Sequence, residues 1–166
     1  MVTTASKRRP THLDRRGQAH VVDVGGKAST KRRAEAIAIV STTAEVADAI
    51  RDGRAPKGDV AAVARIAGIL GAKRTSELVP LCHPIALTHV SADIDVTSAR
   101  GRGTITITVV AECVGPTGVE MEAMTGASIA ALTLYDMIKG LDRSASIARV
   151  ELRSKSGGRS GSWTRT

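Results

Sequence analysis

Five short stretches of this 166-residue chain carry side chains whose types and spacing could do chemistry. Pro80-Leu81-Cys82-His83-Pro84 holds a histidine between two prolines, which restrict the backbone on either side and limit how far the imidazole wanders. Such a histidine could serve a site, or it could cap a carbonyl in a structural loop; Cys82 beside it adds a thiol that could act as a nucleophile. Gly118-Val-Glu-Met-Glu-Ala-Met124 sets Glu120 and Glu122 two residues apart. On a helix two such carboxylates diverge, so both are expected to reach one pocket only where the backbone is still partly extended; otherwise they complement a helix dipole. Asp136 and Lys139 stand at i and i+3, on one helical face: in a cleft they would hold an acid and a base at fixed separation, and on the surface they would form a weak ion pair. Lys57-Gly58-Asp59 places a cation at a predicted helix N-terminus, where anions are favoured. Lys155-Ser-Gly-Gly-Arg159-Ser-Gly161 joins glycines, hydroxyls and two cations, a run that could wrap an anion or remain a disordered tail, and it does not follow the Walker pattern.

A metal centre is not expected. Adjacent Cys82 and His83 lack ligand spacing, and His12, His20 and His89 are scattered. Two cysteines without a CxxC pair also exclude a disulfide-dense scaffold or a zinc finger.

These residues need elements to hold them. Residues 1–20 read as a flexible arm and Val21–Val24 as a short extended piece. Ala34 to Thr42 ends in a β-branched run and reads as a strand. Thr43 to Gly53 follows as a capped helix. Asp59 is the expected N-cap of a second helix reaching about Ala72, in which Val60, Val63, Ile66, Ala67 and Leu70 recur at helical spacing. Leu87 to Thr97 and Thr104 to Cys113 alternate with period two around the loop Arg100-Gly-Arg-Gly103. Residues 118 to about 141 form the longest helical candidate, and Ala145 to Arg153 the last strand. The order β-α-α-β-β-α-β predicts an α+β fold of ferredoxin-like split βαβ type, an antiparallel sheet with helices packed on one face. In the long helix Gly126, Ala127, Ser128, Ala130, Ala131 and Thr133 cluster; such residues suit close backbone approach, within the chain or between subunits, and alanine is also simply a good helix former.

The net charge of +8 looks at first like a nucleic-acid signal. It is concentrated in the tails: residues 1–16 hold five basic and one acidic side chain, residues 143–166 six and one, and the middle thirteen and fourteen. With no Phe, one Tyr and one Trp, the predicted sheet offers no aromatic platform for bases. Apolar stretches fall short of the ~20 residues a bilayer span needs, and Met1–Arg9 lacks a signal-peptide core, so a soluble, cytoplasmic protein is expected.

Taken together, Lys57-Gly-Asp-Val60, Ala64-Arg-Ile-Ala-Gly68, Ala72-Lys-Arg-Thr75, Pro80-Leu-Cys-His-Pro84, Gly118-Val-Glu-Met-Glu-Ala123, Ala131-Leu-Thr-Leu-Tyr-Asp-Met137 and Lys155-Ser-Gly-Gly158 closely resemble the molybdenum cofactor biosynthesis protein C family, the cyclic pyranopterin monophosphate synthases. The resemblance runs over nearly the whole chain. It implies a lyase that takes the cyclised 3′,8-linked dihydro-GTP made by an upstream radical enzyme and rearranges it to the pyranopterin. Pyrophosphate leaves and a cyclic phosphate closes. It implies a homohexamer, a trimer of dimers with sites between subunits. It carries Asp136, Lys139 and Lys57 over as catalytic residues, and Leu81, Cys82, His83, Glu120, Met121, Glu122, Lys155 and Arg159 as substrate-binding ones. Arg159 stands where the family often has Lys, and Gly126 where Ala is frequent. The implied domains are the arm 1–20, a catalytic domain 21–154 and a glycine-rich, phosphate-contacting tail 155–166. No cofactor is required, Mg²⁺ entering only with substrate phosphates; no membrane or nucleic-acid partner is implied, and substrate handover from the radical enzyme is. The rival reading is a non-enzymatic nucleotide- or RNA-binding ferredoxin-like module, told apart by the ionic-strength dependence of its binding to generic RNA.

Overall fold

The computed structural model describes Leu13 and residues 16–166, so most of the expected N-terminal arm, His12 included, lies outside the described residues. The elements run β1 (Thr30–Thr43), α1 (Ala44–Arg51), α2 (Val60–Lys73), α3 (Thr75–Leu78), β2 (Leu87–Ala99), β3 (Arg102–Gly115), α4 (Glu120–Ile138), β4 (Ser146–Ser156) and β5 (Trp163–Thr164). The sheet order is β2-β3-β1-β4-β5, and every neighbouring pair is antiparallel. Because β3 lies between β1 and β2, and β1 between β3 and β4, the two helical crossovers interleave as in a ferredoxin-like split βαβ, with α1, α2 and the short α3 sharing the first connection.

Period-two alternation builds the core. Ala34, Ala36, Ala38 and Val40 of β1 are fully buried, as are Ile105, Ile107, Val109 and Ala111 of β3. The register sets Ala36 opposite Val109, Ala38 opposite Ile107 and Val40 opposite Ile105, so small residues oppose large ones under the helices. β1 begins four residues earlier than expected because Thr30 to Arg33 continue the backbone ladder opposite Gly115 to Glu112 of β3, a pairing without hydrophobic periodicity, over which Lys31 and Arg33 reach Glu112 at 3.5 and 3.6 Å. The hairpin between β2 and β3 uses only Arg100 and Gly101, at φ 50 and 78, a two-residue turn that fits the strand twist. Gly103 already belongs to β3, and a Cβ there would lie 2.6 Å from the Cβ of Ala47 in α1.

Helices α1 and α2 are capped as their sequences predict: the Thr43 hydroxyl accepts from Val46 N at 3.3 Å, and Asp59 Oδ1 accepts from Ala62 N at 2.9 Å. The buried face of α2 is not the expected one. Val60, Ala64, Gly68, Gly71 and Ala72 turn inward, while Val63, Ile66 and Leu70 remain 40%, 59% and 49% exposed. The reason is the seam with α4: a Cβ on Gly68 would lie 3.2 Å from the Gly126 carbonyl, and one on Gly126 would lie 3.0 Å from the Gly68 carbonyl. Only small residues fit where two helix backbones come this close, so the bulky ones are displaced outward. The small-residue cluster of α4 thus serves packing within the chain.

Val21–Val24 forms no strand, and the C-terminal run departs from a simple tail: β4 extends through Lys155 and Ser156, and the chain returns to add β5 beside it. Among the described residues no helix is long and apolar enough to cross a membrane.

Candidate active site

The last turn of α4 and the loop before α2 bring three predicted residues together. Lys139 Nζ lies 2.7 Å from Asp136 Oδ1, and Lys57 Nζ donates to Asp136 Oδ2 at 3.1 Å and to the Asp136 backbone carbonyl at 2.8 Å. The hydrogen bond from Lys139, then that from Lys57, holds the Asp136 carboxyl below the usual carboxylate range, and the carboxylate in turn raises the pKa of Lys139. Both members therefore stay charged at neutral pH, a carboxylate that can accept a proton beside an ammonium that can give one. The two lysines that hold Asp136, Lys57 and Lys139, line a cleft of about 310 Å³ with Tyr135, Gly140 and Arg143.

At the other end of α4 a cleft of about 380 Å³ gathers Leu81, Cys82, His83, Glu120, Met121 and Glu122. His83 Nε2 lies 2.7 Å from the Val22 carbonyl. A carbonyl only accepts, so Nε2 is the donor in this contact. The carbonyl-capping role that sequence left open for this histidine is real, and it also ties Val22, a wall of the cleft, to the Pro80–Pro84 loop. Glu122 is only 3% exposed, and burial, reinforced by neighbouring Glu120 and opposed by its own backbone amide, pushes its pKa up to about 7. Burial first and Glu122 second raise the Cys82 thiol, which disfavours the thiolate that nucleophilic chemistry needs.

The two glutamates reach one pocket although both are helical, contrary to the sequence expectation. Glu120 is the first helical residue and its carboxylate folds back over Gly118, occupying the place of a Cβ there; the cleft wraps the helix end instead of lying along one face.

A third cleft, of about 470 Å³, adjoins this one and shares Lys27, Thr117, Gly118 and Glu120 with it. Lys155 and Arg159 line it, with Lys27, Arg32 and Arg33. Lys155 Nζ hydrogen-bonds the Ser160 hydroxyl and lies 3.5 Å from Glu120 Oε1. Arg32 is anchored through Nε to the Gly115 carbonyl at 3.3 Å and through a terminal nitrogen to the Pro116 carbonyl at 3.2 Å. Thr30, on the same wall, has the one buried side-chain polar atom without a hydrogen-bond partner among the described residues. Several cations around one mouth suit a polyphosphate. Sequence reasoning missed Lys27, Arg32 and Arg33; the signal was the basic run Lys31-Arg-Arg33 at the start of a strand, which carries no hydrophobic period. Among the described residues no group of three or more His, Cys, Asp or Glu converges as a metal site.

These halves are far apart within one chain. At roughly 1.5 Å rise per residue, the fourteen residues from Glu122 to Asp136 put them about 21 Å apart along α4, and the cleft beside Lys57 and Lys139 shares no residue with the other two.

A profile of the MoaC family matches residues 21–158. The cyclic pyranopterin monophosphate synthase of Thermomicrobium roseum is 53% identical over 155 residues, 93% of this chain and 92% of its own length. Cyclic pyranopterin monophosphate synthase 2 of Mycobacterium tuberculosis (H37Rv) is 52% identical over 93% of this chain and 90% of its own, and the synthase of Chloroflexus aurantiacus is 52% identical over 93% and 94%.

Proposed function

Because this chain belongs to the MoaC family, we propose that the two ends of α4 are the two halves of one active site, completed between subunits. The chain is a lyase of molybdenum cofactor biosynthesis, a cyclic pyranopterin monophosphate synthase. Its substrate is the cyclised 3′,8-linked dihydro-GTP, which becomes cyclic pyranopterin monophosphate as pyrophosphate leaves.

The observation that carries the site assignment is the Asp136 carboxylate held between two ammonium groups beside an open cleft. Rearranging the purine into a pterin requires protons to be taken from and returned to ring and sugar atoms. Asp136 is the proton acceptor, and Lys139, whose acidity is reduced by that same carboxylate, the donor; Lys57 fixes the carboxylate through both its side chain and its backbone. In the binding half, Leu81, Cys82, His83, Met121 and Glu122 hold the base, with Glu120 nearby. A near-neutral Glu122 carboxyl can donate a hydrogen bond to a heterocycle, as an ionised one cannot. Lys155 and Arg159, in the tail 155–166, with Lys27 and Arg32, neutralise the phosphates and the departing pyrophosphate, alone or with the Mg²⁺ that accompanies them. Closure of the cyclic phosphate then needs only a sugar hydroxyl aligned with the α-phosphate.

Two observations support a composite site. The halves are too distant to act on one small molecule within one chain, and the outward apolar face of α2, Val63, Ile66 and Leu70, is a surface that a neighbouring subunit would cover. The assembly we propose is the homohexamer, a cytoplasmic trimer of dimers, its domain spanning residues 21–154. Single-turnover conversion of the cyclised intermediate, with pyrophosphate release followed in parallel, tests the assignment: Asp136→Asn and Lys139→Ala should lose conversion while retaining the assembly.

A further inference from the structure

The chain does not end in a free tail after the anion-binding cations. β4 runs through Lys155, the loop 157–162 turns back, and β5 pairs with β4 so that Trp163 stands opposite Lys155 and Thr164 opposite Ser154. Cross-strand partners project to the same side of a ribbon, so the indole and the Lys155 side chain share a face. Beyond β5, Arg165 N donates to the Arg153 carbonyl at 2.8 Å and Arg165 Nε to the Leu152 carbonyl at 2.8 Å. Its guanidinium lies 5.6 Å from the Trp163 ring centroid. Within the loop, Gly161 N bonds the Gly158 carbonyl at 3.1 Å, and Gly157, at φ 94, sits so close to the Lys31 carbonyl that no Cβ would fit.

From these contacts we infer that Trp163 and Arg165 are positioning residues: they clasp the C-terminus onto β4 and so hold the Lys155–Ser160 loop in its anion-binding form before substrate arrives. The inference rests on the polyphosphate reading of the basic cleft. Its physical content is preorganisation. A loop closed at both ends by strand pairing loses little further freedom when it takes up a phosphate chain, whereas a tail fixed only at Lys155 would have to be ordered during binding. Neither Trp163 nor Arg165 lines the cleft, so their effect passes through Lys155 and Arg159.

Two measurements on the full-length assembled protein test this. The first is amide hydrogen exchange: Trp163→Ala should accelerate exchange at residues 157–161, with the β1–β3 amides unchanged. The second is calorimetric titration with inorganic pyrophosphate, where Trp163→Ala and Arg165→Ala should bind about tenfold more weakly than wild type, and Trp163→Phe should restore affinity. In turnover the loss should appear in KM with kcat largely kept. Unaltered loop exchange in Trp163→Ala overturns the clasp. So does wild-type pyrophosphate affinity in Trp163→Ala when Lys155→Ala is weakened. Failure of the polyphosphate reading is recognised separately, because Lys155→Ala would then titrate like wild type, and the clasp's role in anion binding would fall with it.

Discussion

Lys57 and Asp136, 79 positions apart in the chain, meet twice: the Lys57 ammonium donates to the Asp136 carboxylate at 3.1 Å and to its backbone carbonyl at 2.8 Å. The double contact ties the loop ahead of α2 to the last turn of α4. It fixes the carboxylate from one side while Lys139 holds it from the other.

Asp136→Asn removes the carboxylate that we propose accepts the proton and keeps the side-chain volume. Turnover should fall by at least about 10²-fold, since general acid–base groups contribute in this range. The thermal midpoint should scarcely move, because exposed ion pairs of this kind add little to stability. Rapid-quench turnover and a thermal melt check the two halves of the statement. Because Asp136 is held low and Lys139 high, neither should impose a titration on the free enzyme near pH 7.

Glu122 should impose one. Its pKa is raised from 4.5 to about 7, so between these values the folded protein keeps a proton that the unfolded chain has lost. The folded state then binds more protons, and stability should decline as pH rises through that window. Chemical denaturation at pH 5, 6, 7 and 8 should show the decline in wild type, and Glu122→Gln should flatten it. Equal slopes in the two proteins would mean that Glu122 is ionised throughout. The thiols of Cys82 and Cys113 are displaced upward, away from the window, and Glu120 and His83, which share the cleft, are present in both proteins, so the difference between the two slopes isolates Glu122.

Packing along the α2–α4 seam has its own test. A Cβ on Gly71 would lie 2.8 Å from Ile129 Cβ and 2.9 Å from its Cγ1, and a Cβ so near the α4 backbone has little freedom to retreat. Gly71→Ala should therefore destabilise by about 1–3 kcal/mol despite the higher helix propensity of alanine. Gly26→Ala, which meets nothing within 4 Å, should change stability by less than about 0.5 kcal/mol. Urea denaturation of the two variants in parallel gives the comparison.

The fold was legible where side-chain periodicity decides it. β3 alternates Ile105, Ile107 and Val109, and the Thr43 and Asp59 caps mark where α1 and α2 begin. It was illegible where neighbours decide. Nothing local says that Gly68 will face Gly126, so Val63, Ile66 and Leu70 read as a core stripe and emerged exposed. Of the site, the Asp136–Lys139 pair followed from helix spacing, whereas the arrival of Lys57 depends on a tertiary contact. Lys27 and Arg32 were hidden because a cation in a loop or at a strand start has no pattern until the opposing wall is in place. β5 is two residues long, too short to carry a period.

The central claim is that one active site takes its catalytic half from one subunit and its binding half from another. Co-expression of Asp136→Asn under one affinity tag with the double variant Lys155→Ala/Arg159→Ala under a second, followed by tandem purification, isolates mixed oligomers in which each chain lacks a different half. Each variant alone should be inactive. In a randomly mixed assembly about a quarter of the sites would combine two intact halves, so the mixed oligomers should recover roughly that share of wild-type conversion. Mixed oligomers as inactive as their parents would place both halves within one chain and contradict the account.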